Sequence, residues 1–277
     1  MRLRGNYKLV LGSACLLLIV ALATLGGFVA RHGPLEQDLM SSLQPPDLLN
    51  ADYPFGADQL GRDVFARMVS GARVSLAIAA AVVFISGGVG LLLGAYSGLV
   101  AGGRDTVIQK LVETVWAFPP ILLAITVLTF FGQSLPNVIL ALSLQRWIPY
   151  TRVARAQALT LRDMEYVSAS RIMGGGTAWI LTRHILPNLI GPAIVVATFS
   201  MATAILAESS LSFLGIGVPP EIATYGSMLA DGRSYVTQAW WLAVFPGLGI
   251  FLTVLGLNLI GDALRDMFDP KSHLNVS

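Results

Sequence analysis

The sequence predicts an all-α, polytopic membrane protein with six transmembrane helices. The chain is 55% hydrophobic and only 12% charged, whereas a soluble domain carries about twice that charge. Apolar runs recur along its 277 residues, each near the ~20 residues a helix needs to cross a bilayer core. Longer connections fall at 31–73, 163–188 and 212–240.

The six spans fall near 9–30, 74–101, 108–131, 137–157, 188–211 and 241–263. The first follows Arg2, Arg4 and Lys8 and runs 22 residues from Leu9 to Ala30. A secretory signal has a shorter apolar region and a small-x-small cleavage site, so a retained span is expected. Cys15 is the lone cysteine, which excludes a disulfide framework and a cysteine metal site. In 31–73, Val64, Phe65, Met68 and Val69 recur at helical spacing. This predicts an amphipathic helix from Asp63 lying on the membrane ahead of the second span. Gly90, Gly94, Gly98 and Gly102 recur every four residues in that span, a period that lets helix backbones approach closely. Gly132 to Asn137 supply a tight reversal between spans three and four.

Orientation follows from the basic residues. With the N-terminus inside, Arg2, Arg4, Lys8, Arg104, Lys110, Arg152, Arg155, Arg162, Arg171, Arg183, Arg265 and Lys271 face the cytoplasm. Arg31, Arg62, Arg67, Arg73 and Arg233 face outward, and Arg146 lies within span four. Twelve against five places both termini and the 163–188 loop in the cytoplasm. The net charge of +2 is too small to imply nucleic acid.

The 26-residue stretch DMEYVSASRIMGGGTAWILTRHILPN is far longer than a reversal requires. Asp163 is placed to cap a helix over 164–173. Gly174-Gly175-Gly176 ends it, because glycine enters left-handed conformations without steric cost. A second helix over 177–186 leads to Pro187 at the start of span five. Spacing alone fits either a docking element or an ordinary amphipathic loop.

The stretch resembles the EAA loop of the permease subunits of ABC importers. Ser168, Ala169 and Ser170 occupy the core triplet, Gly174 the glycine, and Leu186-Pro187 the ending. Ser168 replaces the usual glutamate, Ser170 the second alanine, and His184 an isoleucine; Glu165 is the nearby acid. GADQLGRDVFAR at 56–67 resembles the G-T-D-x-L-G-R-D-V-x-S-R signature of the C-type permease in dipeptide, oligopeptide and nickel importers. ESSLSFLGIGVPP at 208–220 and the ending LNLIGDALRDMFDPK match the same subfamily.

The resemblance implies a type I ABC importer permease bundle in a bacterial or archaeal inner membrane. It implies a B-type permease partner, one or two ABC ATPase subunits that bind ATP and Mg, and an external substrate-binding protein touching 31–73 and 212–240. The expected division is 1–73 (first span plus an external segment with Gly61, Arg62, Asp63 and Arg67), 74–263 (core, with coupling loop 158–187) and the tail 264–277. Coupling to the ATPase would fall to Glu165, Ser168, Ala169, Ser170, Gly174, Leu186 and Pro187. The cargo would be peptides, or nickel complexes, glutathione or opine-like solutes.

Charge inside a membrane is costly, so each case is a candidate site. Glu208, beside Ser209, Ser210 and Ser212, either lines the translocation path or hydrogen-bonds within the bundle. Arg146 either faces the path as a partner for a carboxylate or snorkels. Glu113 and Asp262 lie near span ends and read as structural. His32, His184 and His273 fall on separate segments, without metal-ligand spacing. No G-x-x-x-x-G-K-[ST], G-x-S-x-G or H-E-x-x-H occurs, so the chain has no ATPase motif of its own. A membrane enzyme using Glu208 with Ser209 or Ser210 lacks a base in the outer half of any span. A stand-alone carrier leaves the long loop unexplained.

Overall fold

The computed structural model describes residues 7–47 and 52–268. Among these residues the one extended pairing is an isolated bridge between Ala57 and Asp63; the rest is helix, turn and loop. Arg2, Arg4, Lys271 and His273 lie outside the described residues.

Helix α1 (Tyr7–Val29) runs antiparallel to the last helix, α10 (Trp241–Phe268). Lys8 Nζ bonds Asp266 Oδ2 at 3.0 Å at one end. Further along, a Cβ on Gly12 would stand 2.9 Å from the Gly256 carbonyl oxygen. The two backbones therefore touch, as small residues permit.

Helix α2 spans 37 residues, Val64–Val100, without interruption. The expected surface helix and the second span at 74–101 are one element, and the boundary expected after residue 73 falls inside it. Val64, Ala66, Met68, Val69 and Ala72 are buried rather than resting on a membrane surface. Val64, Met68 and Ala72 pack with Ile19 and Ala23 of α1, Tyr225 and Met228 of α9 (Tyr225–Gly232), and Trp241 and Leu242 of α10. The helical spacing of apolar residues was real; its partner is protein rather than lipid. Asp63 starts the helix by accepting the Phe65 N–H at 2.9 Å. Burial raises its carboxyl above the usual carboxylate range, against the lowering effect of the Phe65 and Ala66 N–H groups.

The expected third span, 108–131, is two helices, α3 (Gly102–Trp116) and α4 (Pro120–Phe131), bent by 83°. Pro119 and Pro120 bring no N–H to the ladder, and a residue before proline leaves the helical region. The carbonyls freed there are met from α5 (Leu135–Leu161). Gln145 Nε2 donates to Val115 O at 2.9 Å and to Phe118 O at 2.7 Å.

Four helical runs have the length and apolar composition of a membrane crossing: Tyr7–Val29, Val64–Val100, Thr177–Phe213 and Trp241–Phe268. The bent pair makes a fifth. Helix α5 has 27 residues, about 40 Å at 1.5 Å per residue, but its arginines at 146, 152 and 155 set it apart in composition. A count of six crossings requires both the bent pair and this arginine-bearing helix. The expected tail begins inside α10, which runs to Phe268.

The largest apolar core joins α2, α4, α5 and α8 (Ile190–Phe213) through residues such as Ile78, Leu128, Val138 and Ile205. The tightest contact is between α2 and α5. A Cβ on Gly90, Gly94 or Gly98 would lie 2.3, 2.3 or 2.6 Å from the carbonyl oxygens of Trp147, Thr151 or Arg155. Gly102, at the end of the same spacing, touches nothing within 4 Å and instead takes φ +68°, a turn residue between α2 and α3. The α1 start, the α2 end and the α10 end share one face of the bundle; residues 31–47, 52–63 and α9 share the other.

Gly94→Ala is therefore expected to lower stability by at least about 1–3 kcal/mol through overpacking. Gly88→Ala, where a Cβ meets nothing within 4 Å, should be neutral or stabilise by about 0.5–1 kcal/mol. Thermal unfolding of the two variants in detergent, side by side, checks this. Equal transitions would remove the α2–α5 backbone contact from the account.

Candidate functional site

The 163–188 stretch folds as a rigid hairpin. Its first arm is α6 (Glu165–Ile172). Asp163 does not cap it: the capping position is Met164, without a side-chain bond, and Asp163 sits 3.4 Å from Arg162 Nε. Glu165 in the first turn and Arg171 in the last complement the helix dipole. The Gly175 N–H bonds the Ser170 carbonyl at 2.9 Å and the Gly174 N–H bonds the Arg171 carbonyl at 3.1 Å. That pair of bonds, with Gly174 at φ +87°, is a Schellman ending, which demands a left-handed residue. Gly175 is small for a second reason: a Cβ there would stand 2.7 Å from the Ser170 carbonyl oxygen.

The second arm departs from the expected helix over 177–186. Helix α7 covers only Thr177–Ile180, followed by a π-helical turn over Leu181–Ile185 and a 3₁₀ turn over Leu186–Leu189. Pro187 lacks the N–H that would continue an α ladder, and the wider and tighter turns absorb the mismatch. Asn188 Nδ2 closes the gap by donating to the His184 carbonyl at 2.7 Å. The helical run then continues through α8 as one length, Thr177–Phe213.

Val167, Ile180, Ile185 and Leu189 pin the hairpin to Ala95 and Leu99 of α2 and to Ala154 and Ala158 of α5. Arg155 adds a bidentate pair to Asp105, both bonds at 2.7 Å, which fixes the start of α3 to α5. The candidate residues divide across the hairpin. Ser170 is buried under the glycines, Leu186 is half-buried, and Glu165, Ser168, Ala169, Gly174 and Pro187 are exposed. Ile172 and Met173 at the tip are 88% and 81% exposed, and Trp179 is exposed beside them.

At the opposite end, Arg62 and Arg67 build a charge network with Asp58 and Asp231, while Gly61 shapes the turn before it and Asp63 caps α2. Arg62 Nε bonds Asp58 at 2.6 Å and Nη2 bonds Asp231 at 3.1 Å; Arg67 bonds Asp58 and reaches Asp231 at 2.9 Å. Gly61 has φ +70°, and a Cβ there would overlap the Asp38 backbone. The signature thus ties Asp38 and the 57–63 turn to α2 and α9. Asp231 lies 164 residues from Arg67, with nothing in the sequence to pair them.

Two intramembrane groups remain. Glu208 is buried among the chain's own helices, accepting from Ser212 Oγ at 2.7 Å with Ser75, Ser209 and Thr224 around it. Ser210 Oγ donates to the Leu206 carbonyl at 2.7 Å, and no histidine among the described residues joins this cluster. Arg146 is pinned through Nη1 to Thr203 Oγ1 and through Nη2 to the Thr203 carbonyl at 2.7 Å. It lines a cavity of about 230 Å³ with Trp116, Pro120, Ala124, Leu142 and Thr203.

These features define an all-helical integral membrane protein with a prebuilt hairpin at one end. Residues 90–273 match the family model for the inner membrane component of binding-protein-dependent transport systems, and residues 1–46 match that for the N-terminal transmembrane domain of oligopeptide transport permease C. The chain belongs to the binding-protein-dependent permease family. A di/tripeptide transport system permease of Pseudomonas aeruginosa is 40% identical, over 94% of this chain and 87% of its own. The oligopeptide transport system permease of Bacillus subtilis is 35% identical, over 98% and 88%. Among solved structures, an inward-facing form of the MetNI methionine ABC transporter superposes with a TM-score of 0.59 at 18% identity, covering 73% of this chain and 97% of that one. Its fold is shared. The chain is a membrane-embedded transport component rather than an ATPase, which sets aside the membrane-enzyme and lone-carrier readings.

Asp58→Ala strands Arg62 and Arg67 in a buried site and should cost about 3–5 kcal/mol. Asp231→Ala, at a more open position, should cost less. Unfolding transitions of the two purified variants, compared with the parent, measure the difference; an equal and small shift would demote the network to surface pairing.

Proposed function

We propose that the chain forms half of the translocation pathway of an ATP-driven importer for peptides, coupled to its motor through the 163–188 hairpin. The observation that carries this reading is the hairpin itself. It is anchored by apolar contacts to α2 and α5, yet presents bare Ile172, Met173 and Trp179. Exposed apolar side chains on a rigid polar-rimmed element mark a protein contact. Here the contact would be a groove on an ABC ATPase subunit that binds ATP and Mg, one or two such subunits serving the complex.

The hairpin end would face the cytoplasm, since Arg104, Arg162, Arg171, Arg183 and Arg265 cluster there. The 31–63 loop and the 214–240 segment would meet an external substrate-binding protein, and a B-type permease would complete the pathway. Peptide cargo is favoured because the relatives are named for di-, tri- and oligopeptides. ATP-driven closure of the motors would move the hairpins, and with them α2, α5 and α8, toward alternating access.

Ala169 is exposed on α6, so Ala169→Arg should leave insertion and folding intact while placing a desolvated charge in the docking surface. ATP-dependent uptake should fall by about tenfold or more, the scale of a single mispaired interface charge. Gly174→Val, which forces a branched side chain into the left-handed region, should act similarly through hairpin geometry. Parental uptake by both variants, at equal levels of inserted protein, would refute the coupling assignment.

A further inference from the structure

Arg146 sits halfway along α5, at membrane depth, and is held by two bonds to Thr203 of α8. Those bonds fix its head beside the cavity rather than letting it reach toward either interface. No described carboxylate pairs with it, and no acidic residue lines the cavity. An intramembrane cation without a counter-ion is expensive, and such groups are kept where they meet one.

The surroundings share its sign. Arg152, further along α5, stacks 4.5 Å from the centroid of Trp116, which forms part of the wall. Helix α4 begins at Pro120 on the same wall, so the positive end of its dipole adds to the potential. Broken helices at membrane depth are tolerated where they line a cavity, and the α3–α4 break opens here. The nearest competitor, a cleft of about 560 Å³ between α2 and α5, contains no charged residue.

We infer that the Arg146 cavity is a carboxylate-binding subsite that receives the C-terminal end of a passing peptide. At about 230 Å³ it is smaller than the roughly 300–1,000 Å³ of sites that enclose a whole small ligand, so it takes one end of the solute. A guanidinium with two N–H groups committed to Thr203 keeps others for a carboxylate. The inference rests on the peptide-importer reading for its cargo, though not for the existence of an anion site.

Two measurements on the assembled transporter, with its ATPase and binding protein in proteoliposomes, separate these. The first is ATP-dependent uptake of radiolabelled trialanine. Arg146→Gln and Arg146→Met should lower it by about tenfold or more, and Arg146→Lys should stay within about threefold of the parent, because one charge-assisted contact is lost or kept. A loss with Lys as deep as with Gln would make the Thr203 bonds, not the charge, the function of this residue. Uptake unchanged in all three would overturn the subsite outright. A Gln defect that vanishes in phosphatidylcholine vesicles would assign the guanidinium to an anionic lipid instead. The second is modification of Arg146 by p-hydroxyphenylglyoxal, read by peptide mass spectrometry. Trialanine should protect Arg146 and trialanine amide should not. Protection without uptake would retain the subsite and reject the importer of peptides; uptake without protection would do the reverse.

Discussion

Everything in this bundle is referenced to the backbone contact between α2 and α5. Side chains ordinarily hold helices 8–10 Å apart; glycine at 90, 94 and 98 removes that spacer, and the carbonyls of Trp147, Thr151 and Arg155 rest against bare Cα atoms. No hydrophobic driving force separates helix from lipid here, so close packing is the available source of association energy. The hairpin is seated on the last turns of this pair, and the side chains of Gln145 and Arg146 project from it on α5. A shift of one helix against the other would disturb all three at once.

The second constraint is that key polar groups inside the bundle are met either across helices or one turn along the same helix. Gln145 serves the carbonyls left by two prolines. Ser212 serves Glu208, and Thr203 serves Arg146. The Glu208 and Arg146 partners sit on α8, so that helix meets both charges. Glu208 is thereby directed into the chain's own packing, whereas Arg146 keeps an open side.

Membrane class, helix content and the close packing of the α2 glycines were legible in composition and spacing. So was the glycine ending of α6, whereas 56–67 stood out only through its family resemblance. Four features were not. The amphipathic pattern at 64–69 states that one face is buried but not against what, so a protein-packed helix start looked like a membrane-surface helix. Pro119 and Pro120 mark a break, but its 83° bend and the Gln145 side chain of another helix that meets its carbonyls are not readable from spacing. Asp163 is a good capping type at a position where the chain turns one residue later. Asp231, which completes the charge network, is visible only once α9 folds over α2. Apolar Val167, Ile180 and Ile185 stood inside a polar stretch and were the available hint that the loop is anchored.

Helix α2 has one more property, which comes from its length. At 1.5 Å per residue its 37 residues extend about 55 Å, while a hydrocarbon core is about 30 Å thick. A little under half of the rod therefore stands outside the oily layer, and its first turn is clamped through Arg67 to Asp58 and Asp231. With no proline to bend it, the rod behaves as a strut. A force delivered at the charge-clamped tip arrives at the hairpin seat without passing through a loop, so the two ends of the molecule are mechanically one part.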